Sequence, residues 1–171
     1  MIFAKLIRTL LVCFCAACGA THAQTWPTKP LKLVVPYVPM ALGVKVAHPD
    51  RAVVALTGDG GFLFGGTELA TAVQHGINLV TILFNNSSYG NVLRDQKRMY
   101  EGRDAGSALR NPDFQMFARS FGVPSWKVND AKGLKVALTE ALAANAPALI
   151  EVVTDIASET EPWQFLAPTR P

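Results

Sequence analysis

Cysteine is scarce in this chain, and its placement excludes more than its number. The three cysteines are Cys13, Cys15 and Cys18. Their spacing looks like a metal cluster, but all three fall in one apolar run near the N-terminus. Lys5 and Arg8 precede that run, which extends from Leu10 to Ala20, and Thr-His-Ala precedes Gln24. This is the basic region, apolar region and small-residue cleavage site of a secretory signal. The run is too short to span a bilayer as a folded helix. Cleavage after Ala23 would leave 171 − 23 = 148 residues with a charge of +3 − 2 = +1. The exported chain would then hold no disulfide and no thiol nucleophile. It would carry no membrane segment and would reside in the periplasm. A lipobox ending at Cys18 is the alternative reading, with Cys15 standing where leucine is usual.

Other absences narrow the function. Charged residues make up only 17% of the chain, and the net charge is +3. No basic run with interleaved aromatics occurs, which sets nucleic acid aside. No G-x-x-x-x-G-K-[ST] occurs, so a P-loop is excluded. Gly58-Asp59-Gly60 begins like a dinucleotide fingerprint, but the third glycine should fall at position 63, which is Leu63. No internal repeat is visible. Half of the residues are apolar, enough for a buried core, and the length suits about one domain.

What is present is an alternating pattern. TWPTKPLKLVVPYVPM (25–40) reads as an extended leader with one short strand at Leu31–Val35, broken by prolines. From Ala41 the punctuation becomes that of an α/β domain. ALGVKVAH ends a helix before Pro49, and RAVVALTG is an apolar strand. TELATAVQHG is a helix with Thr67 as N-cap and Gly76 past its end. NLVTILFNN is a second buried strand. DFQMFARSFG (113–122) is a helix with Phe114, Phe117, Ala118 and Phe121 on one face. SWKVN is a short strand. AKGLKVALTEALAAN is a helix with Leu134, Leu138 and Leu142 in register, and ALIEVVT is the closing strand. RDQKR (94–98) reads as a charged helix face. This alternation predicts an α/β fold, a doubly wound parallel sheet with helices on both faces, in a single domain. Ligands bind such sheets at the carboxyl ends of the strands, where TGDGG and NNSSYG both fall.

Glycines as dense as those of TGDGGFLFGG (57–66) suit a loop closing on phosphate, yet Asp59 would repel one. A cation between them removes the conflict. Asp59 and Asn86 offer two hard oxygen ligands, and Mg²⁺ is commonly held by one or two protein groups plus substrate phosphates. The 24 residues between Gly60 and Asn85 suit one helix and one strand, so the two loops can lie side by side. Standing alone, Asp59 and the two asparagines are also ordinary turn residues. Tyr89 reads equally as a cofactor neighbour or a loop aromatic. His75 reads as a helix C-terminal residue, and Glu68 as a first-turn residue favoured by the helix dipole.

GDGGF, ELATAV, NN and YGNV, in this order and spacing, resemble the thiamine-diphosphate motif of the acetolactate synthase and benzoylformate decarboxylase superfamily. The resemblance extends from about Ala41 through PWQF (162–165). It implies the cofactor's diphosphate-binding domain at 41–165, followed by a tail at 166–171. It implies that Asp59, the Asn86 side chain and the Ser88 carbonyl bind Mg²⁺, and that Gly58, Gly60, Gly61 and Gly90 line the diphosphate. Enzymes of this family act on C–C bonds at 2-oxo acids. They complete the site with a pyrimidine-binding domain, usually of another subunit in a homo-oligomer, whose glutamate activates the cofactor. Glu101, Glu140, Glu151, Glu159 and Glu161 lie in the wrong context to replace that glutamate. VVPYVPM stands where the family has a glycine-rich, bulky-apolar segment. The signal (1–23) and leader (24–40) are similar to the N-terminus of tripartite tricarboxylate transporter-type periplasmic solute receptors, a match that stops near residue 38. The chain therefore reads as a receptor's leader joined to the tail of a thiamine-dependent enzyme. An exported solute-binding protein and an inactive remnant are the alternatives, and the family itself works in the cytoplasm.

Overall fold

The computed structural model describes residues 37–158. The signal, the strand expected at Leu31–Val35 and the PWQF segment lie outside the described residues. The first element is a helix, α1 (Val38–Ala47), with Pro39 in its first turn, where a missing N–H costs nothing. Val38–Met40, expected as extended leader, are thus helical. Strand β1 (Val54–Gly58) follows, then a short helix α2 (Asp59–Leu63), a 3₁₀ turn at Gly66–Glu68 and helix α3 (Leu69–Gln74). Strand β2 (Val80–Asn85) leads to α4 (Gly90–Met99) and α5 (Phe114–Ser120). The chain closes with β3 (Ser125–Val128), α6 (Ala131–Ala143), β4 (Ala148–Val153) and a 3₁₀ turn at Ile156–Ser158.

The four strands form one parallel sheet in the order β1-β2-β4-β3. Side chains alternate across a strand, so each strand feeds two cores. Ala55, Leu83 and Leu149 face α1, α2, α3 and α5. Val80, Ile82, Ile150 and Val152 face α6. Helices therefore cover both faces, as the continuous apolar strands require. Burying a side chain such as Leu83 or Ile150 contributes about 1.5–3 kcal/mol.

Two local expectations give way. Thr67 does not cap α3: it sits in the 3₁₀ turn, and Glu68 takes the N-cap position without a side-chain bond. The tight turn has already satisfied the N–H of Leu69, which donates to Gly66 and Thr67 carbonyls, so no hydroxyl is needed there. Leu142 is 42% exposed, whereas Ala137 and Ala141 are buried. A four-residue step overshoots the helical turn, so Leu134, Leu138 and Leu142 drift by about 80° around α6. Only the first two reach the sheet. Gly76, at φ +59°, ends α3 as expected, and the structure adds two caps: Asp113 and Asp130 accept from the N–H of Met116 and Gly133.

Candidate cofactor and metal site

In a parallel sheet all carboxyl ends meet one edge, and β1 and β2 are neighbours with Gly58 opposite Phe84. The chain after each strand therefore emerges at adjacent points. After β1 it does not form an open loop. It turns directly into α2, whose first residue is Asp59. After β2 it makes a compact turn through Asn85–Tyr89 and enters α4 at Gly90. Ser87 takes a left-handed conformation at φ +57°, and the Asn85 and Asn86 side chains brace it. Asn85 Oδ1 accepts from the N–H of Ser87 at 3.1 Å. Asn86 Oδ1 accepts from the N–H of Ser88 at 3.0 Å and from its hydroxyl at 2.9 Å.

A third segment closes over these two. Tyr89 N–H donates to the Ser107 carbonyl and Leu109 N–H to the Ser87 carbonyl, each at 2.8 Å. Ser88 and Ala108 form an antiparallel bridge between them. Gln96 of α4 pins the same segment through Ala105 and the Ser107 hydroxyl. The segment thereby delivers Asn111, which the motif does not include. Asn111 Nδ2 donates to Asp59 Oδ2 at 2.7 Å and to Asn85 Oδ1 at 2.9 Å. Asn85 Nδ2 in turn donates to Glu151 Oε1 at 2.7 Å. Gln115 Nε2 donates to Glu151 Oε2 at 2.8 Å, and Lys127 Nζ lies 3.4 Å from Oε1.

Asp59 is 2% exposed. Its only hydrogen-bond donors among the described residues are the N–H of Gly60, at 2.9 Å from Oδ1, and Asn111. Both are neutral. The salt bridges among the described residues are Lys97–Asp104, Arg98–Asp95 and Lys127–Glu151, and none involves Asp59. A buried carboxylate without a counter-charge is costly. Beside it, Asn111 Oδ1 is buried with no hydrogen-bond partner. A buried carboxylate lacking a positive partner suits a hard cation. No group of three His, Cys, Asp or Glu side chains gathers among the described residues, and a site of one carboxylate, one amide and one carbonyl does not require it.

The glycines divide. A side chain on Gly58 would point into open space, whereas one on Gly60 would meet the Tyr89 ring and one on Gly61 would crowd Thr57 Oγ1 at 3.0 Å. Gly90 is the first residue of the ten-residue α4. Ser88 and Gly60 are buried, and Asn86 and Gly90 are half-buried. Sequence reading missed Asn111, Gln115 and Glu151. The one signal that could have found them is a lone charge, Glu151, inside the apolar strand ALIEVV. Glu151 faces Asn85 and Gln115.

Fold and site together define an α/β domain with a polar site, centred on the buried Asp59 carboxylate, at the carboxyl edge of its sheet. Residues 37–152 match the family described as thiamine pyrophosphate enzyme, C-terminal TPP binding domain, and the chain belongs to that family. It is 40% identical over 118 residues to the mitochondrial acetolactate synthase catalytic subunit of Aspergillus candidus, covering 69% of this chain and 17% of that one. It is 37% identical over 117 residues to the 3D-(3,5/4)-trihydroxycyclohexane-1,2-dione hydrolase of Bacillus licheniformis, covering 65% and 18%. Among solved structures it is similar to the thiamine diphosphate-dependent 4-hydroxybenzoylformate decarboxylase of Rhodococcus jostii RHA1. That match has a TM-score of 0.65 and 39% identity, over 69% of this chain and 22% of the other. The chain thus spans about a fifth of the length of the relatives it matches.

Proposed function

We propose that this domain binds thiamine diphosphate through Mg²⁺, as the cofactor-holding part of an acetolactate synthase-like or 2-oxo acid decarboxylase-like enzyme. The observation that carries the metal is the buried Asp59 carboxylate without a cationic partner among the described residues. In this reading Asp59, the Asn86 side chain and the Ser88 carbonyl ligate the cation. Gly58, Gly60, Gly61 and Gly90 line the diphosphate, and the free N–H groups at the start of α4 face its negative charge. Open space at Gly58 leaves room for close approach of a ligand to the backbone. When bound, thiamine diphosphate supplies the electron sink for cleaving or forming a C–C bond beside the carbonyl of a 2-oxo acid.

This chain's residues bind and orient; the activating glutamate comes from the pyrimidine-binding domain of another chain or subunit, within a homo-oligomer. A signal at 1–23, a leader from 24 and delivery to the periplasm belong to the same reading, with the domain beginning at about residue 37, where the family match starts, rather than at 41. Cell fractionation that finds all of the chain uncleaved in the cytoplasm would overturn export alone.

Titration calorimetry of thiamine diphosphate into the full chain, with Mg²⁺ and with EDTA, tests the cofactor reading. Binding is expected with Mg²⁺, and loss with EDTA and in Asp59→Ala. Equal binding under all three conditions would contradict the metal's role.

A further inference from the structure

The hydrogen bonds around Asp59 have a direction. Glu151 is 1% exposed and, as a carboxylate beside Lys127, accepts only. Asn85 must therefore turn its NH₂ toward Glu151, which leaves Asn85 Oδ1 facing Asn111. Only the nitrogen of Asn111 suits that oxygen, and the same nitrogen donates to Asp59 Oδ2. An asparagine NH₂ carries two hydrogens, and both are used. Asp59, also acceptor-only, demands the same orientation from the opposite end. Two carboxylates thus fix two amides between them.

The consequence falls on Asp59. A terminal carboxylate torsion is broad and has no sharp well of its own. Here each oxygen has one donor: Gly60 N–H on Oδ1 and Asn111 Nδ2 on Oδ2. Together they hold the carboxylate plane and leave further lone pairs on both oxygens for a ligand.

Resting on the metal reading above, we propose that Asn111, held by Asn85 and Glu151, is a positioning residue that locks the Asp59 carboxylate for a small octahedral cation. Mg²⁺ demands near-ideal geometry at short distance, whereas Ca²⁺ accepts flexible and irregular coordination. A locked carboxylate therefore favours Mg²⁺ over Ca²⁺, and an unlocked one loses that preference. Losing such a supporting hydrogen bond commonly weakens a metal site about 10–100-fold.

The test is calorimetric titration of Mg²⁺ and of Ca²⁺ into the full chain with thiamine diphosphate present, for the unsubstituted chain and for Asn111→Ala. The expected result is an Mg²⁺ affinity lowered about tenfold or more, with a smaller loss for Ca²⁺. Equal losses for the two ions would assign Asn111 a general structural role and overturn the proposal, as would no loss for either. An unsubstituted chain that binds neither ion would overturn the metal reading itself, so the two failures are distinguishable. Should Asn111→Ala not fold, amide exchange by NMR on the unsubstituted, metal-free chain decides. Slowly exchanging Asn111 side-chain protons are expected, and exchange as fast as in an exposed asparagine would overturn the tether.

Discussion

The Tyr89 ring fills the space that a side chain on Gly60 would need. A methyl group there would lie 2.5 Å from Tyr89 Cδ1 and 3.3 Å from Leu109 Cδ1. The tyrosine is stacked on Phe64 with ring centroids 6.5 Å apart, which limits its retreat. Gly60→Ala should therefore destabilise the fold by about 1–3 kcal/mol, the usual cost of overpacking. Gly58→Ala meets nothing within 4 Å and should leave stability nearly unchanged while weakening thiamine diphosphate binding. Urea unfolding and calorimetry on both variants check this pair, and weakened binding without loss of stability in Gly60→Ala would contradict the packing account.

Ser88 offers a sharper test of ligand assignment. Its hydroxyl and N–H both donate to Asn86 Oδ1, so a cation ligated by that oxygen must displace a donor. The proposed ligand from Ser88 is its carbonyl, which any residue carries. Ser88→Ala is expected to keep Mg²⁺-dependent binding, or to tighten it up to about fivefold by removing a competing hydrogen bond. A tenfold loss in calorimetry would assign the ligand role to the hydroxyl instead.

Phe62 and Phe64 stand two residues apart in the same glycine-flanked stretch, yet Phe62 is 0% exposed and Phe64 is 78% exposed. Phe62 packs edge-on against Phe114 and Phe117, at 5.6 and 5.7 Å between centroids. Phe62→Ala should cost about 3–5 kcal/mol. Phe64→Ser should cost within about 0.5 kcal/mol, as exposed substitutions do. Chemical denaturation of the two variants separates them.

Acid should remove the contribution of one cap in particular. The N–H of Met116 donates to Asp113 Oδ1 at 2.9 Å and, as the largest cause, holds that carboxyl below its ordinary value of 3.8. A group lowered on folding stabilises the fold above its unfolded value, and that contribution is lost as pH falls through the folded value. Asp113→Ala should therefore reduce stability near neutral pH, and by progressively less in acid as pH falls below the ordinary value of 3.8. An equal loss at neutral and acid pH, followed by circular dichroism melts, would contradict the charge-based account.

The fold was legible because its signals are local. Continuous apolar strands and glycine after a helix each carry their meaning within a few residues, and β2, β4 and Gly76 behave accordingly. Misreadings arose where a local signal met a tertiary preference. Thr67 lost its cap to a 3₁₀ turn, and Leu142 lost its burial to the drift of a four-residue repeat. The site was legible in part. GDGG and NN announce themselves by composition, but Asn111 lies 52 residues beyond Asp59 in an irregular stretch before Pro112. Its role exists only once residues 107–109 fold back over 87–89.

The most direct test of the central claim is a crystal structure of the full chain grown with Mg²⁺ and thiamine diphosphate. A cation is expected at about 2.0–2.1 Å from an Asp59 oxygen, also bound by the Asn86 amide oxygen and the Ser88 carbonyl, with the diphosphate against Gly58 and Gly90. A folded chain with cofactor bound elsewhere, or with Asp59 still bonded only to Gly60 and Asn111 at saturating ligand, would contradict it.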